Sequence, residues 1–289
     1  MSEPTDKDFA DNGNVSSTGT EPGRIMTHEE REVAQAAARF GYGPLAQVST
    51  TAERLPAFGG EFQPGLYRSV EQRKFANPAP MGLASFALTT FLLSLINLQT
   101  RGVTTPNIVV ASAYGYGGLV QLLAGMWEMA VGNTFGATAL SSYGGFWITY
   151  GIMFTPGGFE IVKEMTEKNG VAGLQTAVGL WLFGWWIFTT ILLLCTLKST
   201  VVFFLLFLTV DLAFLMLALG HIFLGSESLP NTTLVKAGGG FGVIASFLAW
   251  YSALAGLADT SNSFFIIPVA HFPWSAKALE RRKINHEAV

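Results

Sequence analysis

Six stretches of hydrocarbon set the pattern of this chain. From Met81 to Gln99 there is no Asp, Glu, Lys or Arg, and the segments 108–130, 136–155, 172–197, 201–223 and 237–257 are uncharged or nearly so. The nineteen residues of the first stretch, at ~1.5 Å each, give ~28 Å, about one bilayer core. Each stretch is uncharged or nearly so over ~20 residues, which predicts a membrane span. The expected fold is an all-α integral membrane protein with six transmembrane helices.

Polar residues collect at the ends. Residues 1–76 are rich in Ser, Thr, Gly, Asp and Glu and are expected to form a disordered cytoplasmic tail. Within it, Thr27 to Phe40 has the makings of a short capped helix. Residues 77–258 form the expected six-helix transmembrane domain, and 259–289 a cytoplasmic C-terminal tail. The polar, acidic start shows no signal peptide, so the first span is expected to double as the targeting signal.

Composition narrows the classes. Only 13% of the chain is charged, against ~25% in a soluble domain, which excludes an ordinary soluble enzyme fold. No metal-ligand cluster, nucleophile–His–acid set or nucleotide-binding loop is visible, and no span carries the lysine that a retinal Schiff base needs. No enzymatic activity, cofactor, metal or nucleic-acid partner is expected. The single cysteine, Cys195, sits in an apolar run and reads as a small buried hydrophobe.

Charge placement sets the orientation. Eight Lys/Arg precede the first span, Lys198 lies between the fourth and fifth, and Lys277, Arg281, Arg282 and Lys283 follow the sixth. The opposite side has only Arg101, Lys163, Lys168 and Lys236. The positive-inside rule puts both termini in the cytoplasm, which an even number of spans requires. Spans two and three carry many small residues, which let helix backbones approach closely. Spans four and five carry Trp181, Trp185, Trp186, Phe203, Phe204, Phe207 and Phe214, and are expected to face lipid or a neighbouring subunit.

Asn77-Pro78 opens the first span, with Asn77 suited to cap the helix and Pro78 to its first turn. A helix N-terminus there is either an anion site or an ordinary cap. The run Asn77-Pro78-Ala79-Pro80-Met81-Gly82-Leu83 resembles the signature of the acetate uptake transporter family, which includes the succinate–acetate permeases and a fungal acetate/ammonia branch. The family's usual Leu is replaced here by Met81. Tyr116–Gln121, Gly125–Glu128, Gly132–Gly136, Ser142–Trp147 and Thr196–Thr200 are similar to the family's second span, third span and the turn before its fifth. The resemblance implies a plasma-membrane importer of acetate and similar small carboxylates. It also implies a homo-hexamer, because bacterial relatives form hexameric rings with a path inside each subunit. That path narrows at a Phe, a Tyr and a Leu, which match Phe86, Tyr143 and, by counting along span five, Val210. Val is shorter than Leu, so the neck is expected to be wider and to admit larger acids such as lactate.

Carrying bare acetate through hydrocarbon costs tens of kcal/mol, so a path must offer donors or a proton. With no Lys or Arg inside a span, the candidate substrate-binding groups are Asn77, Thr89, Thr90, Ser94, Gln121, Asn133, Thr134 and the Tyr143 hydroxyl. Phe86 is either an apolar neck that gates by drying out or plain core packing. Asp211, mid-span, and Glu128, near the end of span two, are candidates for proton coupling or simply hydrogen-bonded acids. His221 closes span five as an interfacial residue or a pH sensor. The leading reading is acetate uptake, proton-coupled or channel-like. The alternatives are ammonia or ammonium transport, and a sensor of acid stress that signals through the tail.

Overall fold

The computed structural model describes residues 76–259 and 262–275. The expectations for the tail before residue 76 and for residues 276–289 lie outside the described residues. The described chain is helical, with one isolated bridge between Thr200 and His271. Six helices succeed one another: α1 (Ala79–Asn97), α2 (Asn107–Ala130), α3 (Thr134–Phe154), α4 (Ile161–Cys195), α5 (Val201–Ile222) and α6 (Thr232–Leu257).

Five of these are long and apolar enough to cross a membrane. The exception, α3, is long enough at 21 residues. Its Thr134, Thr138, Ser141, Ser142, Tyr143 and four glycines dilute its hydropathy. It is also where Phe135, Leu140, Tyr143, Phe146, Trp147 and Tyr150 are buried inside the bundle.

Local sequence sets the helix ends. Asn133 caps α3, its side-chain oxygen accepting from the Gly136 N–H at 3.0 Å. Thr200 caps α5 through the Phe203 N–H at 3.2 Å, and Asn231 caps α6 through Thr233 and Leu234. The first turns of α4 are set off by Gly170 at φ 72°, so its apolar part begins near residue 171, as the hydropathy pattern predicts. In α2 the glycine-rich run Gly115–Val120 opens into a π-turn, which alters the phase of the residues after it, beginning with Gln121.

Neighbours in sequence are neighbours in space, and α6 closes the ring by packing against both α5 and α1. The α6 face toward α1 and α5 is a stripe of small residues, Gly238, Gly242, Ala245, Ala249 and Ala253, at helical spacing. On the other side α2 lies hard against α3, and a Cβ at Gly144 would fall 2.7 Å from the Leu122 backbone nitrogen. That tight contact leaves a wide gap between α3 and α5, filled by rings.

Here the expectation for span five is corrected. Phe203, Phe207 and Phe214 are buried at 1%, 5% and 7% exposure, not turned to lipid. They meet Phe135, Tyr143 and Phe146 of α3 across the gap. Trp181, Trp185 and Trp186 of α4 are half-buried around the same cluster. Cys195 is corrected too: it is exposed, on the outward face of α4 with Ile187, Ile191 and Leu194.

After α6 the chain turns back. The Val201 N–H donates to the Ala270 carbonyl at 2.9 Å, and Trp274 Nε1–H donates to the Leu197 carbonyl at 2.8 Å. Residues 270–274 thereby hold the turn between α4 and α5.

Candidate functional site

Two cavities lie end to end inside the bundle. The lower one, toward the start of α1, is narrow, with a cavity volume of about 20 Å³, and is lined by Leu83, Phe86, Gln121, Ala139, Leu140, Tyr143, Phe203, Leu206, Phe207 and Val210. The upper one, toward the end of α1, is larger, with a cavity volume of about 50 Å³. Its walls include Phe86, Thr90, Ser94, Asn97, Tyr143, Phe146, Trp147, Val210, Phe214 and Gly242. Phe86, Tyr143 and Val210 are common to both, and form the waist between them. Neither lining contains a charged side chain among the described residues.

The waist is a packed arrangement of rings. The Phe86 and Tyr143 centroids are 5.9 Å apart at 42°. Tyr143 is stacked on Phe214 at 18° and also touches Phe207, Phe188 and Trp185. Its hydroxyl lies 3.0 Å from Thr189 Oγ1, and the Thr189 hydroxyl in turn donates to the Trp185 carbonyl at 2.7 Å. Thr189 therefore accepts from Tyr143, and the phenol proton is committed to α4. Tyr143 presents a ring face to the cavities rather than the free donor expected from the sequence.

Helix phase sorts the remaining candidates. Phe86, Thr90, Leu93, Ser94 and Asn97 recur at helical spacing on one face of α1 and line the upper cavity. Thr89 lies one residue off that face and is fully buried against α2, bonded to Ser112 Oγ at 2.9 Å and to the Ser85 carbonyl at 3.0 Å. It closes a helix contact and does not line either cavity, which corrects its assignment to the path.

Three further substrate-binding candidates, Asn77, Asn133 and Thr134, and the two proton-coupling candidates, Asp211 and Glu128, also lie away from both cavities. Asn77 accepts from the Ala79 N–H at 3.0 Å and lines neither cavity. Asn133 is spent on the α3 cap and on a hydrogen bond to the Glu128 carboxylate, so this fully buried pair pins the α2–α3 turn. Thr134 is exposed on the outside of the subunit. Asp211 is buried between α5 and α4, where it accepts from Thr190 Oγ1 at 2.6 Å and Trp186 Nε1 at 3.2 Å. Neither Asp211 nor Glu128 borders a cavity. His221 meets Gln175 at 2.8 Å at the upper end of α5.

Gln121 and Thr90 do border the cavities, and both are short of partners. The Gln121 side chain is fully buried in the lower cavity wall, and neither its oxygen nor its nitrogen has a hydrogen-bond partner. Leaving such a group unpaired costs ~1–3 kcal/mol, which an apolar residue of the same size would avoid. Thr90 Oγ1 in the upper cavity is likewise unpartnered. Sequence reasoning missed Trp147 and Asn97 as cavity-lining residues. Trp147 lies one helical turn beyond Tyr143 and Asn97 three turns beyond Phe86, so facing one of each pair inward carries the other with it.

The model of the GPR1/FUN34/yaaH family matches residues 58–274, and the chain belongs to that family. It is 66% identical to acetate permease A of Emericella nidulans over 87% of this chain and 85% of the relative. It is 47% identical to ammonia transport outward protein 2 of Saccharomyces cerevisiae, over 73% of this chain and 71% of that protein. Among solved structures, the bacterial acetate channel SatP superposes with a TM-score of 0.54 at 30% identity, covering 68% of this chain and all of SatP. The expected family and the multi-pass helical fold are borne out.

Proposed function

We propose that this chain is a plasma-membrane transporter that takes up acetate and related short monocarboxylates, as a homo-hexamer with both termini cytoplasmic. The observation that carries the reading is the pair of uncharged cavities in series, joined at Phe86, Tyr143 and Val210. It is supported by the 66% identity to an acetate permease.

In this orientation the upper cavity opens from the outside and the lower one toward the cytoplasm. The substrate loses water in the upper cavity, passes the apolar waist, and meets only Gln121 before leaving near the start of α1. A fixed cation would hold the carboxylate too well to release it. Uncharged donors are weak enough to let it go. Because no protein carboxylate borders either cavity, a proton that accompanies acetate travels on the substrate, as the acid, rather than through Asp211 or Glu128.

The test is uptake of labelled acetate into proteoliposomes with and without an inward proton gradient. Accumulation above equilibrium under the gradient marks a symporter, equilibration alone marks a channel, and absence of both rejects the reading. Ammonia movement is the second reading, favoured by the 47% identity to an ammonia transport protein. Methylammonium flux in the same vesicles, without acetate flux, would establish it instead.

A further inference from the structure

We infer that Trp147 is an anion-selecting donor of the upper cavity, and that its indole N–H, with the Thr90 hydroxyl, forms a carboxylate subsite above the waist. This deepens the acetate reading and rests on it. Trp147 is 2% exposed, lines the upper cavity, and its Nε1–H has no acceptor in the protein. Its ring is fixed edge-on against Phe146 at 5.0 Å and Tyr150 at 5.8 Å, so the N–H cannot easily turn to find another partner. Thr90 Oγ1, unpartnered as well, borders the same space from α1.

The two groups differ in what they exclude. An indole N–H donates and never accepts, so it has nothing to offer an ammonium ion. A carboxylate accepts at both oxygens and can take the indole and the hydroxyl together. The rings of Phe86, Tyr143, Phe146 and Phe214 around the cavity would attract a cation, so without this donor the chamber would favour no sign of charge. The subsite thus decides between the two substrates that the family's names suggest. Ser94 narrows it further, because a Cβ on Gly242 would collide with the Ser94 hydroxyl, which therefore occupies the space the glycine leaves.

The direct test is ¹⁵N-tryptophan labelling of the full chain in nanodiscs, with the Trp147 indole signal assigned from W147F. Sodium acetate should move that signal downfield, and ammonium chloride should leave it in place. In proteoliposomes W147F, which keeps an aromatic ring but loses the N–H, should raise the KM for acetate about tenfold with kcat within about twofold. T90V should raise KM by about threefold. An indole signal indifferent to acetate together with a W147F KM equal to wild type would overturn the inference and leave water as the partner of Trp147. If the wild type itself carries no acetate, the acetate reading fails instead. Should W147F assemble poorly, W147Y assigns the signal in its place, and T90V with the wild-type titration decides the question.

Discussion

The two cavities share three side chains and little else. Above the waist the walls carry Thr90, Ser94, Asn97 and Trp147 among the rings. Below it, Gln121 is the polar side chain left once the Tyr143 hydroxyl is committed to Thr189. The same helices build both, so the difference lies in phase. Along α1, Thr90, Ser94 and Asn97 face the space above Phe86, whereas Leu83 faces the space below. On the proposed path, an acid that enters from above would exchange water for hydroxyl, amide and indole donors in steps. On leaving the waist it meets hydrocarbon and one amide. On that path the desolvation cost would fall mostly on the lower side, where a neutral acid would cross more cheaply than an anion.

The comparison breaks if the cavities are not in series. Val210 borders both, so Val210→Trp should fill the connection and cut acetate uptake by at least about tenfold, at unchanged membrane level and oligomer size. Uptake that survives this plug would mean that acetate bypasses the waist, and the two spaces would then be packing faults of separate origin.

The next test sharpens the contrast from below. Gln121→Leu removes the unpaired amide and leaves the lower cavity wholly apolar. Stability and transport should move in opposite directions. The thermal midpoint should rise, because ~1–3 kcal/mol of unmet hydrogen bonding is relieved. Uptake should fall about fivefold, a change of ~1 kcal/mol in the barrier. A variant that is both less stable and fully active would show that the amide is structural.

The contrast between adjacent residues explains what the sequence could and could not reveal. Six spans and their order follow from hydropathy alone, because a bilayer core dictates segment length. The waist was legible only through resemblance: nothing local separates Phe86 from the other 22 of 23 phenylalanines. Thr89 and Thr90 are chemically identical, yet one seals α1 against α2 and the other faces the upper cavity. A hydropathy pattern that is apolar all round carries no phase, so it cannot tell them apart. Asp211 was visible as a costly mid-span acid, but its donors, Trp186 and Thr190, come from α4, and that pairing depends on how the helices pack. Trp147 could have been found by stepping one turn from Tyr143.

A control outside the cavities bounds the comparison. Asp211→Asn should replace one acceptor by an N–H that faces a donor, at a cost of ~1 kcal/mol in stability measured by thermal unfolding in detergent. Acetate uptake and its response to a proton gradient should stay within about twofold, since Asp211 borders neither cavity. Loss of gradient-driven accumulation with normal equilibration would instead make this acid part of the coupling.

The smallest change expected within the cavities concerns the waist itself. Val210→Leu adds one methylene where both cavities meet Phe86 and Tyr143. In a closed pocket one methylene discriminates by about tenfold or more. Here the added group has open space on either side and can lean into it, so about a threefold rise in the acetate-to-lactate uptake ratio is expected. The rise should come from slower lactate transport, with acetate nearly unchanged, because acetate is the shorter acid. Competition between labelled acetate and unlabelled lactate in the same vesicles measures it. If both acids slow equally, the waist limits water loss rather than size, and selection among carboxylates belongs to the polar chamber above it.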